Sequence, residues 1–251
     1  MFPVIHFGPL SIQARGFILL ASFWLAAEAA ERSAKRLGVR GDVVYSLAFI
    51  AALAGLLGAR AGYVIEHWAA YQSDPIAIFA LNFNTLSPLA GVVTGVAAAY
   101  LYARRKGVAN RRLLDALTPG FIVFAAGLAL ADLASGDAYG APSSLPWAIE
   151  LWGAARHPAQ LYQFITVIVI GVIVFKTKRS FDGLWFGLFV ALYAGSRLFL
   201  EGFRGDSETI GGVRTAQVWS LIILLIALIA LRQWARVAAL PAADLTSPVQ
   251  T

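Results

Sequence analysis

The chain contains no cysteine, one methionine and three histidines, and charged residues make up only 14% of its 251 positions. Without cysteine there is no disulfide, no thiolate supplied by this chain and no cysteine-anchored lipid. No paired histidine or carboxylate spacing suggests a metal centre, and nothing points to a cofactor. The scarcity of charge excludes most, because 59% of the residues are hydrophobic and mean hydropathy is +0.71. So apolar a chain has too little polar surface to wet a soluble domain. The opening stretch, residues 1–13, also lacks the positive region of a cleavable signal peptide, so the first hydrophobic segment is expected to stay attached.

What is present is a series of long apolar runs, at about 14–31, 43–67, 87–103, 113–134, 159–175, 183–201 and 216–235. Runs of roughly 18 or more mostly apolar residues indicate membrane-spanning helices. The ten-residue alternation of an outer-membrane barrel is absent. The expected fold is therefore an all-α membrane protein, a polytopic bundle of about seven transmembrane helices. With no internal repeat or linker, residues 1–236 read as a single membrane domain, and 237–251 as a short disordered tail.

Net charge is +6, and its distribution argues against nucleic acid as a partner. Lysine and arginine gather in alternate loops: Arg32, Lys35, Arg36 and Arg40; Arg104, Arg105, Lys106, Arg111 and Arg112; Lys176, Lys178 and Arg179; then Arg232 and Arg236. The positive-inside rule makes those loops cytoplasmic, with the N-terminus out and the C-terminus in. Arg156, Arg204 and Arg214 fall in outer loops. Only Arg15, Arg60 and Arg197 remain, within or at the ends of helices, all toward the outer leaflet in this topology.

Charge at such depth faces a bundle interior or a wet cavity, or snorkels to the headgroups. Two of these arginines have structured neighbours. Tyr63 lies three residues after Arg60; Tyr193 lies four before Arg197 and Glu201 four after it. Spacings of three and four place the partners on one helix face. Glu201 can orient Arg197, and Tyr193 can donate to a shared ligand. Guanidinium forks match phosphate oxygens and stay charged, so these arginines are expected to converge on one anionic phospholipid headgroup.

Three stretches resemble the prolipoprotein diacylglyceryl transferase family of bacterial seven-helix enzymes. They are Gly58-Ala59-Arg60-Ala61-Gly62-Tyr63; Leu145-Pro146-Trp147-Ala148 with Arg156-His157-Pro158-Ala159-Gln160-Leu161-Tyr162; and the series Tyr193, Arg197, Glu201, Arg204. Gly8-Pro9, Gly136, Gly140 and Ala216-Gln217 add to the likeness, in collinear order over nearly the whole chain. The resemblance implies transfer of the diacylglyceryl group of phosphatidylglycerol to the lipobox cysteine of a signal-peptide-bearing prolipoprotein. Such transfer takes place at the outer face of the inner membrane and releases glycerol phosphate. It also implies Arg197, Tyr193 and His157 as catalytic residues. Arg60, Tyr63, Glu201, Arg204, Arg156 and Gln160 are then substrate-binding, and Arg15, at a first-helix position where the family usually has tyrosine, is a further substrate-binding candidate.

Two family motifs are altered. Ser87-Pro88-Leu89-Ala90-Gly91 stands where the family has a His-Gly-Gly element. In Gly127 to Asp137, Ala129 occupies the place of an arginine, Asp132 and Ser135 those of asparagines, and Asp137 that of a glutamate. Two explanations stay open. Arg15 can replace the missing arginine from the first helix, or the chain is a non-catalytic phospholipid-binding relative. With the family histidine gone, His157 is the remaining motif-borne candidate for general base, although a His-Pro pair at a helix start also suits a structural part. His67, beside Trp68, reads as interfacial. The Gly-, Pro- and Trp-rich loop at 136–153 fits both an aromatic belt and a cap that admits a signal helix. A transporter is the poorest fit, since the charges gather near one face.

Overall fold

A computed structural model describes residues 4–7, 10–79 and 85–239, with side chains from residue 13 onward. Gly8-Pro9, the side chain of His6 and the tail from residue 240 lie outside the described residues. Eight α-helices are described: α1 Ala14–Arg36, α2 Gly41–Glu66, α3 Trp68–Tyr71, α4 Pro88–Arg105, α5 Arg111–Ser135, α6 Ala159–Lys176, α7 Leu184–Leu200 and α8 Thr215–Ala239. Three antiparallel hairpins are described, one before α1 and two between helices: β1 Val4–Phe7 with β2 Leu10–Gln13, β3 Ile149–Leu151 with β4 Ala154–Arg156, and β5 Thr209–Ile210 with β6 Val213–Arg214. Each expected apolar run coincides with a helix, and α8 also takes in residues 237–239.

Among the described residues, five helices are long and apolar enough to cross a membrane: α2, α5, α6, α7 with its extension to Phe203, and α8. The other two long helices are more polar. α1 contains Glu28, Glu31, Arg32, Lys35 and Arg36, and the eighteen residues of α4 end in Arg104 and Arg105. The chain divides into two compact units, Met1–Ser33 with Leu114–Thr251, and Ala34–Leu113.

In the larger unit, Ile122 and Ala126 of α5, Val167, Ile170 and Val174 of α6, and Phe189 of α7 form a buried core. α1 crosses α5 closely because the facing positions are small. A Cβ on Gly120 would lie 2.7 Å from the Ala26 carbonyl, and one on Gly127 would overlap Ser22. Asp115 of α5, fully buried, accepts from the backbone N–H groups of Gly183 and Phe186 at 2.8 and 3.1 Å. It thus satisfies donors that the first turn of α7 leaves unpaired, and Arg179 stands 3.5 Å away. The hairpin turns Trp152-Gly153 and Gly211-Gly212 all have positive φ, as a two-residue turn with the right twist requires. Glycine adopts that backbone freely; Trp152 holds it with its indole N–H donated to the Gly136 carbonyl at 3.0 Å.

In the smaller unit, α2 and α4 pack antiparallel along glycine. A Cβ on Gly58 would overlap Thr94, one on Gly62 would lie 2.4 Å from the Ala90 Cβ, and one on Gly95 2.8 Å from the Ala51 carbonyl. Small residues at this spacing let helix backbones approach where lipid removes the hydrophobic drive to associate. Pro88 opens α4 at the first helical position, where its missing N–H costs nothing.

Candidate active site

The last turn of α7 carries Arg197, and the 3₁₀ turn Glu201–Phe203 follows it directly. Glu201 is 2% exposed and donates nothing, so a buried carboxylate here needs several donors. Arg197 Nη2 supplies one to Oε2 at 2.9 Å, across the expected i, i+4 spacing. Ser207 Oγ supplies another to Oε1 at 2.7 Å. Arg214, from β6, donates through Nη1 to the Glu201 carbonyl and, at 2.9 Å, to the Arg204 carbonyl. Arg204 itself forks onto Asp206 with contacts of 2.9 and 2.8 Å. Buried Glu201 thereby fixes the direction of Arg197, whose Nε and Nη1 keep no partner among the described residues.

A pocket opens beside this network, lined among others by Arg197 and Arg204, by Ala129 and Asp132 of α5, and by Gln160 and Gln163 of α6. Ala129 adds only a methyl group where the sequence comparison expected an arginine. Two guanidinium groups therefore share the pocket with one carboxylate. Gln160 is 2% exposed and donates Nε2 to the Asp137 carbonyl at 2.7 Å. Its Oε1 is buried without a hydrogen-bond partner, as are both polar atoms of the Gln163 amide.

Arg15, the candidate replacement for the missing arginine, is paired. Its guanidinium lies 3.2 Å from Asp132 and against Asp137, which also accepts from Ser135 Oγ at 2.8 Å. The negative charge that Asp132 brings to the site is thus partly balanced from α1. Arg15 is not among the pocket's lining residues.

Other expected site residues are placed differently. Tyr193 stacks on Phe189 with centroids 5.6 Å apart, joining the core. His157 packs edge-on against Phe203 and Tyr162, with Nδ1 3.4 Å from the Tyr162 hydroxyl. Trp147 donates to that same hydroxyl at 2.8 Å. Arg156 donates to the carbonyls of Leu151 and Gly140 at 3.0 and 3.3 Å and lies over the Tyr139 ring, so it braces the loop. Tyr193, His157 and Arg156 are not among the pocket's lining residues. In the smaller unit, Arg60 donates to the carbonyls of Ile78, Ala77 and Thr85 and to the Thr85 hydroxyl, above the Tyr71 ring. Tyr63 stacks on His67 with centroids 4.1 Å apart. Ser87, at the altered motif, donates to Glu66 at 2.8 Å.

Sequence reading missed Gln163, Ser207 and Arg214. Gln163 had a usable signal, lying three residues after Gln160 on one helix face. Arg214 was grouped with outer-loop charge; only the tight Gly211-Gly212 turn hints that it folds back.

The comparisons with known proteins follow this geometry. The model of the family described as prolipoprotein diacylglyceryl transferase matches residues 3–233. The chain is 31% identical over 215 residues to the phosphatidylglycerol–prolipoprotein diacylglyceryl transferase of Clostridioides difficile (strain 630), covering 85% of this chain and 87% of that protein. It is 28% identical over 253 residues to the protein of that name from Corynebacterium diphtheriae, covering 90% and 89%. With that from Trichormus variabilis, identity is 27% over 262 residues, covering 97% and 93%. A family match running almost from end to end, with Arg197 and Arg204 lining one pocket, has one meaning: this chain belongs to the prolipoprotein diacylglyceryl transferase family.

Proposed function

We propose that this chain transfers the diacylglyceryl group of phosphatidylglycerol to the cysteine thiol of a lipobox-bearing prolipoprotein. It works as a multi-pass protein of the bacterial inner membrane, with seven spans, N-terminus out and C-terminus in, and the Arg197 pocket toward the outer leaflet. The observation that supports this best is the buried Glu201, which orients Arg197 at the pocket while two of its nitrogens stay available. Arg197 and Arg204 hold the lipid phosphate. The acceptor thiolate forms a carbon–sulfur bond at the glycerol carbon bearing that phosphate. The carbon–oxygen bond there breaks, its electron pair leaves on glycerol phosphate, and the thiol proton passes to solvent.

In the transition state charge grows on the departing phosphate, and donors already aimed at that position stabilise it without reorganising. The thiol arrives with the preprotein, in keeping with a chain that has no cysteine. On this reading Arg197 is the catalytic residue and Glu201 positions it. His157, Tyr162 and Phe203 pack on one another, Tyr193 ties α7 to the core, and Arg156 and Arg60 hold the outer loops. A non-catalytic lipid-binding role has no comparable support in the pocket.

The test is reconstitution. Purified protein is incubated with phosphatidylglycerol and a peptide bearing a lipobox cysteine, and the product is sought by mass spectrometry. A peptide gaining a thioether-linked diacylglycerol is expected. No product from wild-type protein under any lipid ratio would refute the transferase reading.

A further inference from the structure

Arg204 leaves the 3₁₀ turn Glu201–Phe203 in extended backbone, with φ −79° and ψ 143°. One edge of this stretch is paired as in a sheet. Gly140 bridges Arg204 in the antiparallel sense. The Ala141 N–H donates to the Phe203 carbonyl at 2.8 Å, and the Gly205 N–H to the Tyr139 carbonyl at 2.9 Å. The approach is tight, since a Cβ on Gly205 would lie 2.7 Å from the Gly140 carbonyl. Gly140 and Arg204 form the kind of pair that exchanges no bond across the ladder, so the N–H and C=O of Arg204 face the other edge. The N–H turns back to the Glu201 carbonyl at 3.2 Å. No strand meets the C=O. A side chain does: Arg214 Nη1 donates to the Arg204 carbonyl at 2.9 Å, to the Glu201 carbonyl, and to Ser207 Oγ at 3.3 Å.

The Arg204 guanidinium has its own partners inside the same stretch, Asp206 at 2.8 Å and Glu201 at 3.9 Å. These fix its shape but not its placement, which follows the backbone. That backbone is held by residues 139–141 on one edge and by Arg214 on the other. Arg214 arrives from the end of hairpin β5–β6, whose residues 209–213 are exposed, and is not among the pocket's lining residues. Its donor is charged, which makes the stronger class of hydrogen bond. Resting on the transferase reading, we propose that Arg214 is a positioning residue: it stands in for an absent strand beside residues 203–205 and so sets where the Arg204 guanidinium meets the lipid phosphate. It acts through Arg204, not on the lipid.

A double-mutant cycle tests this, with phosphatidylglycerol vesicles, a lipobox peptide, and rates per folded molecule. Arg204→Ala and Arg214→Met are each expected to lower kcat/KM for phosphatidylglycerol by about tenfold, the scale of a misplaced contact, with the peptide KM within about twofold of wild type. Residues that act in series do not add. The double variant is therefore expected within about twofold of Arg204→Ala alone. A merely structural Arg214 would instead give the product of the two losses, and that result would overturn the proposal. So would wild-type rates in either single variant, or an Arg214→Met loss that appears equally in the peptide KM. If Arg214→Met does not fold, the cycle is run with Arg214→Gln, whose amide keeps one donor, and is judged by the same results. No product from wild-type protein sinks the transferase reading instead. Retention of phosphatidylglycerol in native mass spectrometry then reads the same cycle, and additive losses there overturn the positioning role.

Discussion

Arg60 and Arg197 look alike in sequence, each one to two turns inside a helix end with a tyrosine on its own face, yet their surroundings differ in kind. Arg60 gives its nitrogens to the carbonyls of Ala77, Ile78 and Thr85. Arg197 gives one nitrogen to a buried carboxylate and lines a pocket. An arginine saturated by backbone carbonyls ties down a loop. An arginine aimed by one anchored acid is prepared for a ligand. Depth and charge do not separate the two cases; the acceptors do.

The largest expected effect breaks the comparison at its catalytic end. Arg197→Ala should lower kcat for diacylglyceryl transfer by about 10²–10³-fold, the usual cost of removing one preorganised donor from a developing anion. Arg197→Lys should recover little, because an ammonium cannot reproduce the fork. Thermal unfolding in detergent checks that the fold survives. Equal activity in both variants and wild type would mean that the pocket is not the site.

The structural end comes next. Arg60→Ala removes charged hydrogen bonds to three carbonyls, each worth about 1.5–3 kcal/mol, with solvent recovering part of the loss. The expected outcome is a stability decrease of about 2 kcal/mol and faster proteolysis near residues 75–79, with kcat per folded molecule within a few-fold of wild type. A variant that is stable and inactive would move Arg60 from the loop to the lipid and erase the distinction. Glu201→Gln sharpens the other side. It keeps the shape but weakens the hold on Arg197, so kcat should fall about tenfold while the peptide KM stays constant, the signature of lost orientation.

How much of this was legible follows the same physical line. The helices were readable because each apolar run is long and the loops between them gather charge; α6, expected at 159–175, is Ala159–Lys176. The hairpins were not, since strands of two to four residues are too short to establish a period-2 pattern. The Arg197–Glu201 pair was readable because both partners are side chains at helical spacing. The Arg60 contacts were not, because a backbone carbonyl leaves no trace in side-chain identity. Ala129 was noticed as a loss; that it would share a pocket with two glutamines, Gln160 and Gln163, needed coordinates.

The smallest effect concerns Arg15, which sequence alone offered as a stand-in for the absent arginine. In the structure its guanidinium balances Asp132 and Asp137, and its side chain is 44% exposed. A partly exposed pair of this kind contributes only about 0.2–1 kcal/mol, so Arg15→Ala should unfold at nearly the wild-type temperature. Its influence on transfer is electrostatic and indirect. Without Arg15, Asp132 stands uncompensated beside a pocket that must accept a phosphate, and kcat/KM for phosphatidylglycerol should fall about three- to tenfold. Adding Asp132→Asn removes that charge while keeping an acceptor oxygen, so the double variant should regain most of the loss. If Arg15→Ala is as inactive as Arg197→Ala and Asp132→Asn restores nothing, Arg15 grips the lipid itself, and α1 takes over the part that α5 has lost.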